Sequence, residues 1–103
     1  MKIVVKRPAE KPEVMEIKGE LHEMQEIVGG YIECVNIIDN ILCVCNEEGK
    51  LKGFPPNFVF NGDMIVGNVF FCIGGEEDFE SLNDDQIEFV MNIMHIFELK
   101  TEK

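Results

Sequence analysis

The order of apolar and polar positions divides the chain into short β-type segments and two helical ones. Ile3, Val4 and Val5 lie within Lys2–Arg7, a first strand stopped by Pro8. Glu13–Lys18 is a second strand, placed after Lys11-Pro12 to pair with the first as a hairpin. After Gly19, the residues Leu21, Met24, Ile27 and Val28 recur at helical spacing opposite Glu20, Glu23 and Glu26. That pattern predicts a short amphipathic helix over Glu20–Val28, capped by Gly29-Gly30 in the left-handed region.

Tyr31–Asp39 alternates along its length, whereas Ile41–Cys45 is continuously apolar, as in a strand covered on both faces. Asp39-Asn40 between them suits a two-residue turn. An uninterrupted ladder from that turn pairs Ile38 with Ile41, Val35 with Val44, and Cys34 with Cys45. Phe58–Phe60 is a brief strand or extended segment, Asn61-Gly62-Asp63 a turn, and Met64–Ile73 a buried strand interrupted or bulged at Gly67. Gly74-Gly75 ends it, and Phe79 anchors the acidic loop that follows.

The last helix begins with a capping box, Asn83 and Gln86, and with Asp84 and Asp85 at its positive end. From Ile87 to Leu99 only Glu88, Asn92, His95 and Glu98 are polar, in one narrow stripe. A two-layer domain covers only one face of such a helix. The surplus suggests a homo-oligomer whose interface includes Phe89, Ile93, Ile96 and Phe97. Taken together, these elements predict an α+β fold. A small mixed or antiparallel sheet of about five strands carries one short helix and one C-terminal helix.

Composition narrows the partners. At 103 residues the chain is read as a single domain, 1–103, and 46% hydrophobic content supports a packed core. No apolar run is long enough to span a bilayer, and the first residues lack the pattern of a signal peptide, so a cytoplasmic location is expected. The formal charge is −11, and five of the nine basic residues fall in the first eighteen positions. Such an acidic body is repelled by nucleic acid and by anionic membranes, so neither is expected as a direct partner. Cys34, Cys43, Cys45 and Cys72 form no Cys-x-x-Cys pair and are read as small buried hydrophobes, reduced in a cytosol.

The chemistry of catalysis is missing from the pattern. There is no phosphate-binding glycine loop, and His22 and His95 each stand alone without a second ligand at metal spacing. Ser81 and Thr101 have no triad context, and the carboxylate pairs read as exposed turns. No enzymatic activity, metal or cofactor is expected. The stretch Cys45–Phe58 is the most demanding of the backbone, with Gly49, Gly53 and Pro55-Pro56 at its bends. As a ligand-binding corner it would offer Tyr31, Asn46, Glu47, Lys50, Phe54 and Asn57; as plain architecture it is a turn and a core plug.

Several motifs occur together in order: Val28–Glu33, then Cys45–Leu51 with Pro55-Pro56-Asn57. Asn68–Phe71 and Asp78–Leu82 follow, before a helix carrying Asp85-Gln86. In that order they resemble the domain-of-unknown-function family 3846, over almost the whole chain. The resemblance implies a small accessory protein of bacteria, phages or mobile elements, with no assigned enzymatic activity, acting in the bacterial host cytoplasm. By analogy with other small phage proteins it suggests counter-defence.

Two mechanisms fit. In one, an oligomer sequesters a small nucleotide-like signal at the corner, with Lys6, Arg7 or Lys11 contributed by a neighbouring subunit. In the other, an acidic face including Glu76, Glu77, Asp78 and Glu80 occupies the basic nucleic-acid site of a host protein, as a DNA mimic does. Between Glu76 and Glu88 there are seven acids and no base, which favours the second; the aromatic, proline-rich corner and the surplus apolar helix surface favour the first. Sequestration is the expected function and the acidic inhibitor the alternative.

Overall fold

A computed structural model describes residues 1–101, with side chains described as far as Phe97. The apolar segments condense into a six-stranded antiparallel sheet: β1 (Lys2–Lys6), β2 (Glu13–Glu16), β3 (Ile32–Ile38), β4 (Ile41–Asn46), β7 (Val69–Gly74) and β8 (Phe79–Glu80). Its order is β2-β1-β7-β4-β3, with β8 beside the end of β7. A separate hairpin joins β5 (Pro56–Phe60) to β6 (Asp63–Val66). Helix α1 is Leu21–Val28 and α2 is Asp84–Thr101. No helix among the described residues is long and apolar enough to cross a membrane.

The continuous apolar runs mark the central strands because both faces of the sheet are covered. On one face, Ile3, Val5, Val44, Phe70 and Cys72 pack under Met24 and Val28 of α1. On the other, Val4, Cys43, Cys45, Val69 and Phe71 meet Phe58 and Ile65 of the hairpin and Val90 and Met94 of α2. Each fully buried side chain of this size contributes about 1.5–3 kcal/mol, so the two layers hold the sheet from both sides.

The helix starts follow the sequence closely. Asn83 and Gln86 bond reciprocally, each side chain accepting the other's backbone N–H at 2.8 Å. At α1 the capping box is Glu20 with Glu23, whose carboxylate accepts from the N–H groups of Glu20, Gly19 and Lys18. Those bonds, Glu20's first, hold the Glu23 carboxyl below its ordinary pKa. Asp39-Asn40 turns with φ of 48° and 66°, the two left-handed residues a type I′ hairpin requires.

Several expectations need correction. The β3–β4 ladder begins at Ile38↔Ile41 but shifts between Asn36 and Ile38, so Val35 pairs with Cys43 and Cys34 with Val44. One extra residue moves Cys34 off Cys45. All four cysteines are free, and Cys34 is exposed rather than buried.

Of the two readings of Met64–Ile73, interruption holds and the bulge does not: Gly67, at φ +76°, breaks the run, with β6 paired to β5 and β7 in the main sheet. Lys6 is not a surface cation; it is 1% exposed, inside its own fold. Finally, α2 has less spare apolar surface than its stripe suggests. Phe97 stacks on Phe58 at 5.5 Å and approaches Phe60, and Ile93 packs on the same core, while Phe89 and Ile96 stay exposed. The Glu98 and Leu99 side chains lie outside the described residues.

Candidate functional site

The corner between β4 and β5 is built on two buried asparagines. Asn46 ends β4, donates from Nδ2 to the Val28 carbonyl at 3.1 Å and accepts the Glu48 N–H at 2.7 Å. It ties the end of α1 to the turn that follows. Asn57 sits at the register shift in β5, which turns its side chain inward. Its Nδ2 donates to the carbonyls of Lys6 and Gly67 at 2.9 and 2.8 Å, and its Oδ1 accepts from Lys6 Nζ at 3.1 Å. Buried carbonyls need such partners, and here one amide serves three groups.

Phe54 is the plug of the corner. An added Cβ at Gly67 would lie 2.7 Å from the Phe54 ring, and Gly49 and Gly29 approach the same ring closely. At Gly67 both the ring and a φ of +76° require glycine; at Gly49 it is contact, with Val66 at 2.9 Å from an added Cβ, and at Gly29 it is the φ of +83°.

The proposed ligand residues are therefore divided. Asn46, Glu47 and Lys50 line a cleft of about 150 Å³ together with Glu33, Cys45 and Asp63. Phe54 lines another, of about 460 Å³, with Arg7, Pro8, Glu10, Glu26, Pro55 and Asn68. Tyr31 is exposed and borders neither cleft, and Asn57 is committed to the backbone.

Both clefts carry more acid than base. Lys50 is engaged with Asp63, Lys52 lies 3.8 Å from Glu48, and Arg7 bonds Glu13 at 2.6 Å. The cleft thiol, Cys45, is pushed up to about 11 by burial first and then by the Glu33 charge, which keeps it protonated and poorly nucleophilic.

At the other end of the sheet the turns converge. The Gly74 N–H bonds the Asn40 carbonyl at 2.8 Å, joining the β3–β4 turn to the end of β7, from which the Glu76–Asp78 loop leads into β8. The chain then passes Lys2, where the Leu82 N–H bonds the Lys2 carbonyl, and enters α2. A cleft of about 250 Å³ lies between the β3–β4 turn and the start of α2. Ile38, Ile41 and Phe89 supply its apolar wall, and Asp39, Asn83, Asp85 and Gln86 its polar rim.

Of the proposed partner-binding residues, Glu76, Glu77, Asp78 and Glu80 are all exposed at this end. Phe89, expected at an oligomer interface, lines this cleft. Sequence reasoning missed the cleft because Ile38 and Phe89 meet only through the fold. A single hint existed: an isoleucine on each side of a polar two-residue turn.

No curated protein and no solved structure matches the chain. The family model for the domain of unknown function DUF3846 matches residues 1–95, nearly the whole chain including both asparagine brackets and the acidic end, and the protein belongs to that family.

Proposed function

We propose that this protein acts without catalysis, as an acidic binding module that occupies a basic surface on a partner protein. One observation carries the reading: Asp39 and Asp85, from two separate segments, rim an apolar cleft of Ile38, Ile41 and Phe89 at the end of the sheet where the exposed Glu76–Asp78 loop leaves β7. Charge of one sign steers an oppositely charged partner, and an apolar pocket inside that field gives it a point of attachment. The partner would present arginine or lysine beside an aliphatic side chain, as nucleic-acid-binding proteins do along their binding grooves. The phage or mobile-element setting and a counter-defence role rest on the family alone.

The probe is a fluorescent arginine-rich peptide containing one leucine, followed by anisotropy. Binding that weakens with salt, and weakens at least about 5-fold on replacing Glu76, Glu77 and Asp78 by Gln or Asn, supports the reading. Phe89→Ser should weaken it without changing the salt slope. No salt-dependent binding, or affinity indifferent to these substitutions, would sink it.

A second reading, sequestration of a small nucleotide-like molecule, is favoured by the roughly 460 Å³ cleft on Phe54 and Pro55. The carboxylates of Glu10 and Glu26 beside Arg7 oppose an anionic ligand there. Incubation with cyclic and ADP-ribose-type nucleotides, followed by assay for depletion, decides it; no depletion ends this reading.

A further inference from the structure

The main sheet has two edges, and only one is defended. On β2 the edge is four residues long, follows Lys11-Pro12 and carries Glu13 and Glu16. Shortness, charge and a nearby proline are the usual barriers to pairing with another strand. At the other edge, β3 runs for seven residues, Ile-Glu-Cys-Val-Asn-Ile-Ile, with Glu33 its single charge and no lysine or proline. We propose that this edge pairs with β3 of a second copy of the chain, antiparallel, about a two-fold axis at Cys34.

Main-chain geometry sets the register. The Glu47 N–H donates to the Tyr31 carbonyl, so the alternation of the ladder turns Tyr31, Glu33 and Val35 toward β4. Ile32, Cys34 and Asn36 then present their N–H and C=O groups outward. The irregularity between Asn36 and Ile38 ends this phase, because Ile38 turns back to pair with Ile41. The free edge is thus a symmetric set centred on Cys34.

With Cys34 opposite Cys34 of the other copy, Ile32 meets Asn36 and every outward group finds a partner. A shift of two residues leaves one residue of the set unpaired on each chain. In the Cys34 register, Glu33 lies across from Val35 of the other copy, not across from its own equivalent. Tyr31, 67% exposed, reaches the Ile37–Ile38 end of the other strand.

Charge argues for a second copy over a foreign strand at this place. A chain of net charge −11 repels its like, and β3 is the nearly neutral stretch where two copies can approach. Screening should therefore strengthen pairing. That is the opposite salt dependence from the basic partner proposed above, and the two readings stand or fall separately.

The test is mass by light scattering across a protein dilution series. Raising salt from about 50 mM to about 500 mM should increase the dimer fraction several-fold. A short bis-maleimide should link two chains through Cys34, the exposed thiol, and fail with Cys34→Ser. Cys34→Lys places two ammonium groups at the axis, and Cys34→Pro removes an outward N–H without touching the β4 ladder. Each should give a monomer with unchanged far-UV circular dichroism. A wild-type monomer at every salt concentration, or a dimer surviving both Cys34→Lys and Cys34→Pro, overturns the proposal.

Discussion

Replacing Asn57 by alanine removes an amide that holds three chain segments at one point: the end of β1, β5 and the break at Gly67. The two bonds from Nδ2 to the Lys6 and Gly67 carbonyls are neutral and contribute about 1 kcal/mol each. The bond from the Lys6 ammonium is charge-assisted and contributes about 1.5–3 kcal/mol. Lys6 keeps its bond to the Arg7 carbonyl at 2.8 Å, so its burial is not left wholly uncompensated. The sum is a loss on the order of 3–5 kcal/mol.

Urea unfolding is the assay. With a slope of about 1–3 kcal/mol per molar, the midpoint should fall by about 2 M while the slope stays constant. Asn57→Asp separates the parts: it restores an acceptor for Lys6 but turns an oxygen toward the two carbonyls, and should recover little. A loss under about 1 kcal/mol for Asn57→Ala would refute the assignment of this side chain as the bracket of the corner.

Asn46→Ala should cost less, about 2 kcal/mol by urea midpoint, because it gives up one neutral donor and one neutral acceptor and no charged bond. Gly67→Ala meets both a φ of +76° and the Phe54 ring, whereas Gly62→Ala meets a φ of +77° in open space. The first should destabilise by at least about 1 kcal/mol more than the second; equal losses would mean the ring yields. In dilute, low-salt solution, where the proposed β3 pairing is weakest, a thiol reagent at pH 8 should label Cys34 first, although burial and the Glu33 charge push its thiol up, and leave Cys43, Cys45 and Cys72 until the protein unfolds.

Burial raises Cys45 from 9.0 to about 11 and Cys72 to about 12. The stability these protonated thiols contribute is full below pH 9 and declines as pH rises through 11 and 12, where they ionise even when folded. Urea midpoints should thus fall from pH 8 to pH 10.5. A rise would contradict the burial of these thiols.

Local chemistry wrote the legible parts of the fold. Asp39-Asn40, Gly29 and the Asn83–Gln86 box each solve a backbone problem within a few residues, so residue type announces them. Opaque features depend on contacts distant in sequence. Lys6 looks like a surface charge because nothing near it reveals that Asn57, fifty-one residues on, will bond it. Met64–Ile73 has the composition of a strand on both sides of Gly67, and only the Phe54 ring and the direction of β5 explain why the chain departs there.

Phe97 reads as surplus on a helical wheel, yet Phe58 and Phe60 provide its place. As for the site, its charge was legible, but the apolar cleft within that charge was not. At the corner the backbone demands were legible from Gly and Pro, whereas the bonds of Asn46 and Asn57 and the ring contacts of Phe54 depend on residues distant in sequence.

The central claim is that the acidic end, not the corner, is where a partner binds. The most direct test is a backbone amide NMR titration of the isotope-labelled chain with the arginine-rich, leucine-containing peptide. The amides of Ile38, Asp39, Asp85, Gln86 and Phe89 should shift together, saturating at one stoichiometry, while Lys50, Phe54 and Asn68 stay in place. Shifts concentrated at Phe54 and Asn68, or no saturable shift anywhere, would contradict it.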